Sequence, residues 1–141
     1  LAHLVLSLTM VCFFYILPEI FNVENKNTSL IRWFGMITMT VFFLMYTQYH
    51  DLIVIFTGLF GTIALIPFFI ELAKYPMRGI SILAYTCFAL SIIVYISYNT
   101  KIGFYYLPFL QKITFLFDAT WVIWVSFIVM KKRQIAIPSK A

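Results

Sequence analysis

Between Trp33 and Ile70 only His50 and Asp51 interrupt an otherwise uncharged, strongly apolar run. No soluble surface can be made from such a stretch, because a helix built from it is apolar all the way round. The rest of the chain continues the pattern. Of its 141 residues 63% are hydrophobic and 11% charged, where a soluble domain carries about 25% charged residues. Mean hydropathy is +0.97. An integral membrane protein follows, with almost nothing left over for a separate soluble domain.

Roughly 20 helical residues cross a ~30 Å hydrocarbon core. Five segments approach that length, at 1–21, 33–49, 52–72, 79–99 and 113–130. Backbone groups in hydrocarbon must be satisfied within the segment or in a closed barrel, and runs this long without period-two alternation choose helices. The expected fold is therefore all-α, a polytopic transmembrane helical bundle of five visible spans forming one domain over residues 1–141. Trp33, Tyr46 and Tyr49 flank the second span and Tyr95 and Tyr98 mark an end of the fourth, as interfacial aromatics do. Pro18, Pro67 and Pro76 are expected near span ends, where a missing N–H costs least.

Basic residues orient the bundle. Lys26 and Arg32, Lys74 and Arg78, and Lys131, Lys132, Arg133 and Lys140 fall on one side, against Lys101 and Lys112 on the other. This bias puts the carboxyl terminus in the cytoplasm and residue 1 at the outer face. An outer amino end and a first residue that is leucine lead to the expectation of a sixth, earlier span, with a cleaved leader as the alternative. The net charge of +5 thus reads as topology, and nucleic acid is not an expected partner. Cys12 and Cys87 each sit mid-way in an apolar run and act as small fillers rather than a disulfide.

Three stretches, RWFGMITM at 32–39, YHDLIVIFTGLFG at 49–61 and LPFLQKITFLFDATWVIW at 107–124, resemble an uncharacterised family of small bacterial multi-pass membrane proteins of the domain-of-unknown-function kind. They cover about a third of the chain. The resemblance implies a helical bundle in a bacterial inner membrane and carries no activity with it.

Candidate site residues lie where polar groups enter apolar runs. QYHD at 48–51 reads first as a hairpin tip, where two antiparallel helices need water-facing residues and Asp51 can cap free N–H groups. His50 beside Asp51 is also a plausible pH-sensitive pair. Asp118 stands five residues into the last span, where an ionised carboxylate needs a partner, a cavity or the interface. By the orientation above, His3, Tyr95, Tyr98 and Gln111 share its outer end. The sharper reading is an outer-leaflet ligand pocket of His50, Asp51, Asp118, His3, Tyr95, Tyr98 and Gln111; the plainer one is that each residue solvates its own helix end. Glu71 is expected to pair with Lys74, and Glu19 with Lys26 or Arg32. The 100–112 segment is expected to be an apolar surface or re-entrant loop. Small residues at Gly58, Gly61, Ala84 and Cys87 point to close packing by the third and fourth spans.

No Walker loop, GxSxG, HExxH or CxxC is present, so neither a metal centre nor a cofactor is expected and no catalytic residue is assigned. The reading is a non-enzymatic helical-bundle protein that binds a lipid or small ligand near the outer leaflet, with membrane lipids and other membrane subunits as partners. A scaffold subunit of a transporter or respiratory complex is the alternative, and an intramembrane enzyme using His50 and Asp118 as an acid–base pair the third.

Overall fold

Asparagine and proline set the first helix boundaries. In the computed structural model, which describes residues 2–136 (side chains at 2–4, 45, 46, 50 and 136 excepted), α1 spans Ala2–Ile16. Pro18 then opens a 3-10 stretch over Leu17–Phe21, which ends when Asn22 turns left-handed at φ 55° and its N–H bonds the Glu19 carbonyl. Helix α2, Lys26–Phe42, starts at a reciprocal cap. The Thr28 amide donates to Asn25 Oδ1 and the Asn25 amide to Thr28 Oγ1, each at 2.9 Å. It tightens into a 3-10 turn over Phe43–Tyr46. Helix α3 follows at His50–Ala73, α4 at Arg78–Thr100, a short 3-10 turn at Phe104–Tyr106, and α5 at Leu107–Ala136. The described residues are all-α, with no strand.

Among the described residues three helices are long and apolar enough to cross a membrane, Asp51–Ala73, Arg78–Thr100 and Phe104–Ile135. The first two expected spans differ from these for local reasons. The apolar stretch Val5–Phe21 is shorter and passes into 3-10 geometry at Pro18. The second helix begins seven residues before the expected position 33, because the Asn25 cap lies there. Its opening turns therefore carry Lys26, Asn27, Thr28, Ser29 and Arg32, residues expected in a loop. The 100–112 segment is also less of a loop than expected, since α5 is already helical from Leu107 with Pro108 in its first turn. Pro67 stands inside α3, not near its end; it removes the N–H that would bond the residue-63 carbonyl.

Contacts divide the chain into two units. One runs to Tyr75 and includes the chain from Ile128; the other is Pro76–Phe127. In the first, α2 packs against both α1 and α3. Leu17, Ile31 and Leu72 are fully buried there, and Phe21 meets Phe68 and Tyr75 edge-on at centroid distances of 6.1 and 6.0 Å. The α1–α2 contact needs Gly35. A Cβ at that position would stand 2.2 Å from Phe14 Cδ1, so the ring lies flat on bare backbone. A Cβ on Gly61 would stand 3.6 Å from the Thr38 methyl, whereas one on Gly58 would meet open space. The small residues of the third span thus include one in contact with α2. In the second unit Ile80, Ala84 and Cys87 form the buried stripe of α4, and a Cβ on Gly79 would stand 3.4 Å from the Trp124 ring.

Threonine hydroxyls fit an apolar setting. Those of Thr38, Thr62, Thr86, Thr114 and Thr120 each donate to the carbonyl four residues earlier, at 2.7–2.9 Å. A hydroxyl satisfied by its own helix needs no water.

Candidate functional site

The polar residues of the first unit converge where the Leu17–Phe21 stretch, the start of α2, the end of α3 and the last turns of α5 meet. Glu71, in the final turn of α3, is 5% exposed. Its Oε1 accepts from Asn27 Nδ2 at 2.6 Å, Asn25 Nδ2 at 3.1 Å and Lys74 Nζ at 3.4 Å. Three donors on one buried oxygen compensate for the lost hydration of the carboxylate. The Lys74 pairing is the one expected from spacing. The asparagines are a tertiary addition, and Asn25 uses its other end, Oδ1, to cap α2.

Glu19 takes a different partner from those expected. Neither Lys26 nor Arg32 pairs with it; Arg133 does, with Nε on Oε2 at 2.8 Å and a second guanidinium nitrogen on Oε1. This two-pronged contact suits the flat guanidinium fork, which a lysine lacks. Lys132 turns inward beside it. Its amine donates to the Ile20 carbonyl at 2.6 Å and to Asn22 Oδ1 at 3.0 Å, satisfying the 3-10 stretch where it ends. Nearby, burial pushes the Tyr75 phenol above its usual pKa.

A cleft of about 300 Å³ opens over this layer, lined by Pro18, Glu19, Asn22, Glu24, Ser29 and Arg32, among others. Arg32 is held along one wall by Nε donating to the Tyr15 carbonyl at 3.1 Å, with the guanidinium 5.5 Å above the Tyr15 ring. Glu24 is exposed and forms no ion pair among the described residues. A smaller, mostly apolar cavity of about 160 Å³ lies between α1 and α2, beside Ser7, whose buried hydroxyl has no hydrogen-bond partner.

The outer-end candidates fall in both units. Asp51 lies in the first turn of α3, where a carboxylate meets the positive end of the helix, but the N-cap position is Tyr49 rather than Asp51. The side chains of His3 and His50 lie outside the described residues. Tyr95, Tyr98 and Gln111 are exposed, and Lys101 sits over the Tyr98 ring at 4.5 Å. Asp118 is half-buried and, because α5 starts at Leu107, about three turns into its helix. It lies beside the Cys87 thiol of α4, within the same unit. The structure thus pairs Asp118 with a buried thiol that composition alone reads as filler. No three histidine, cysteine, aspartate or glutamate side chains among the described residues could jointly hold a metal ion.

The polar cluster at Glu71 and Glu19 had a partial signal in the sequence, since the basic residues around it were grouped on one side by charge bias. Of its asparagines, Asn25 had a capping signal with Thr28 three residues on, and Asn27 had none. No family model, curated protein or solved structure matches this chain.

Proposed function

We propose that this chain is a non-enzymatic integral membrane protein of five crossings that holds a lipid or small ligand within its helical bundle. One observation carries the reading. The apolar windows of the three long helices are only 22%, 17% and 17% buried by the protein itself. Covering a large aliphatic or aromatic side chain is worth about 1.5–3 kcal/mol, so faces this apolar require lipid or a partner chain.

The two shorter elements also have the reach to cross. Fifteen α residues and five 3-10 residues measure about 32 Å for α1 with its extension, and α2 with its own comes to about 33 Å. The bonds linking Glu71 to the start of α2, and Glu19 and Asn22 to the end of α5, gather three basic segments at one end. That grouping agrees with a cytoplasmic carboxyl terminus. The ligand is assigned to the outer leaflet, where the charge bias of the sequence puts Asp118 of the second unit. Support comes from Asp118, a half-buried acid in an apolar helix that neighbours the Cys87 thiol and forms no ion pair among the described residues.

Alkaline extraction and cysteine labelling test this. The chain is expected to stay with membranes in carbonate. A membrane-impermeant maleimide should label Tyr105→Cys in intact cells, and Lys131→Cys only after permeabilisation. Release by carbonate, or equal labelling at both positions, refutes the topology. A scaffold role in a transporter or respiratory complex draws on the same uncovered faces; a stoichiometric second chain surviving detergent purification would replace the stand-alone reading.

A further inference from the structure

We propose that the cleft over the Glu19–Arg133 pair binds a zwitterionic group carrying a phosphate and a primary ammonium, the chemistry of phosphoethanolamine. This site lies in the polar layer of the first unit, not with the outer-end residues above, and stands independently of them.

Several charges at the cleft are already committed. Both Glu19 oxygens are held by Arg133, and the Lys132 amine is consumed by the Ile20 carbonyl and Asn22 Oδ1. Two lining charges remain with capacity for a ligand. Arg32 spends its Nε on the Tyr15 carbonyl, which fixes the side chain while its terminal N–H groups take no hydrogen-bond acceptor among the described residues. Glu24 presents a carboxylate with no ion pair among the described residues. One cation and one anion in the same cleft suit a ligand with one of each and penalise a purely anionic one.

The chemistry at the cleft matches both halves. A guanidinium recognises phosphate oxygens through paired N–H groups, and the Ser29 side chain can add a hydroxyl donor. Thr28 and Ser29 belong to the first turn of the 17-residue α2, whose positive end favours the phosphate. The ammonium is left to Glu24. The walls are preorganised, because side-chain bonds from Lys132 and Arg133 of α5 hold the Leu17–Phe21 stretch and Asn22 in place. Exposed Tyr15 and Trp33 flank Arg32, the aromatic setting of a headgroup zone. The same chemistry reaches the cleft either as an aminophospholipid headgroup or as a free phosphoethanolamine.

The test uses the full chain. Its lipid shell is measured by native mass spectrometry from nanodiscs of equal phosphatidylethanolamine and phosphatidylglycerol, and O-phosphoethanolamine is titrated by calorimetry. Retention of phosphatidylethanolamine over phosphatidylglycerol identifies the lipid as the source; binding of O-phosphoethanolamine without lipid preference identifies the free compound. In either case Arg32→Gln should weaken binding at least tenfold. Glu24→Gln should shift preference toward the glycerol headgroup, which has no ammonium. Ser29→Ala, at an exposed position, should cost a few-fold with thermal unfolding unchanged, which separates lost binding from lost folding. Neither preference nor titration heat, or Arg32→Gln and Ser29→Ala variants that bind as the parent does, overturns the proposal. The titration arm reads the cleft even if the bilayer topology fails.

Discussion

Replacing Gly35 with alanine should be costly even though alanine is the better helix former. The new Cβ would lie 2.2 Å from Phe14 Cδ1, 2.6 Å from Cγ and 2.9 Å from Cε1. Carbon atoms pack at about 3.5–4.0 Å, so the ring or α1 itself must retreat by more than about 1 Å. Contact with Cγ matters most, because that atom is the root of the ring and a change of ring tilt cannot clear it. Overpacking of this kind costs about 1–3 kcal/mol, while the glycine-to-alanine gain in helix propensity returns at most about 1 kcal/mol. A net loss approaching about 2 kcal/mol follows. For a chain of this size that lowers the melting temperature by several degrees, at about 2–4 °C per kcal/mol. Gly58→Ala is the matched control, since nothing stands within 4 Å of its Cβ and only the propensity gain remains. The assay is thermal unfolding in detergent for both variants, repeated on a Phe14→Ala background. There Gly35→Ala should become neutral or stabilising. Equal stability of the two glycine variants, or an unchanged penalty after removal of the Phe14 ring, would refute the packing argument.

Glu71→Ala should destabilise by about 1–3 kcal/mol, because it strips the acceptor from Asn25 and Asn27, and faster hydrogen exchange at the Thr28 amide is the specific readout. Glu71→Gln, which keeps one acceptor oxygen, should exchange more nearly like the parent. Exchanging the charges of the Glu19–Arg133 pair tests its specificity: each reversal alone should raise protease sensitivity near the end of α5, and Glu19→Arg with Arg133→Glu together should restore protection in part.

Helical content was legible because apolar runs of this length have no other way to satisfy their backbone. The α3–α4 turn was equally plain, with Lys74, Tyr75 and Pro76 separating two apolar runs. The structure moves two helix boundaries, each where a short local signal lies against the apolar pattern. Asn25 and Thr28 start α2 well before the apolar run does, so Lys26 and Arg32 ride on a helix rather than a loop. Leu107 and Pro108 start α5 inside what reads as an aromatic loop. Of the candidate sites, the Glu71–Lys74 pair was visible because three residues along a helix is a contact distance. The Glu19–Arg133 pair was not, since 114 residues separate its members and several bases compete for the acid.

The apolar, helical character of the described residues and the bias of the basic ones were already written in the chain, since both depend on composition along short windows. Which polar groups meet depended on tertiary packing. It chose Arg133 over Lys26 and Arg32 for Glu19, placed two asparagines on Glu71, and set Cys87 against Asp118. The reason is geometric. A partner is selected by how helices pack, and here packing turns on particulars such as a phenyl ring against the bare Cα of Gly35, which no window of the sequence encodes.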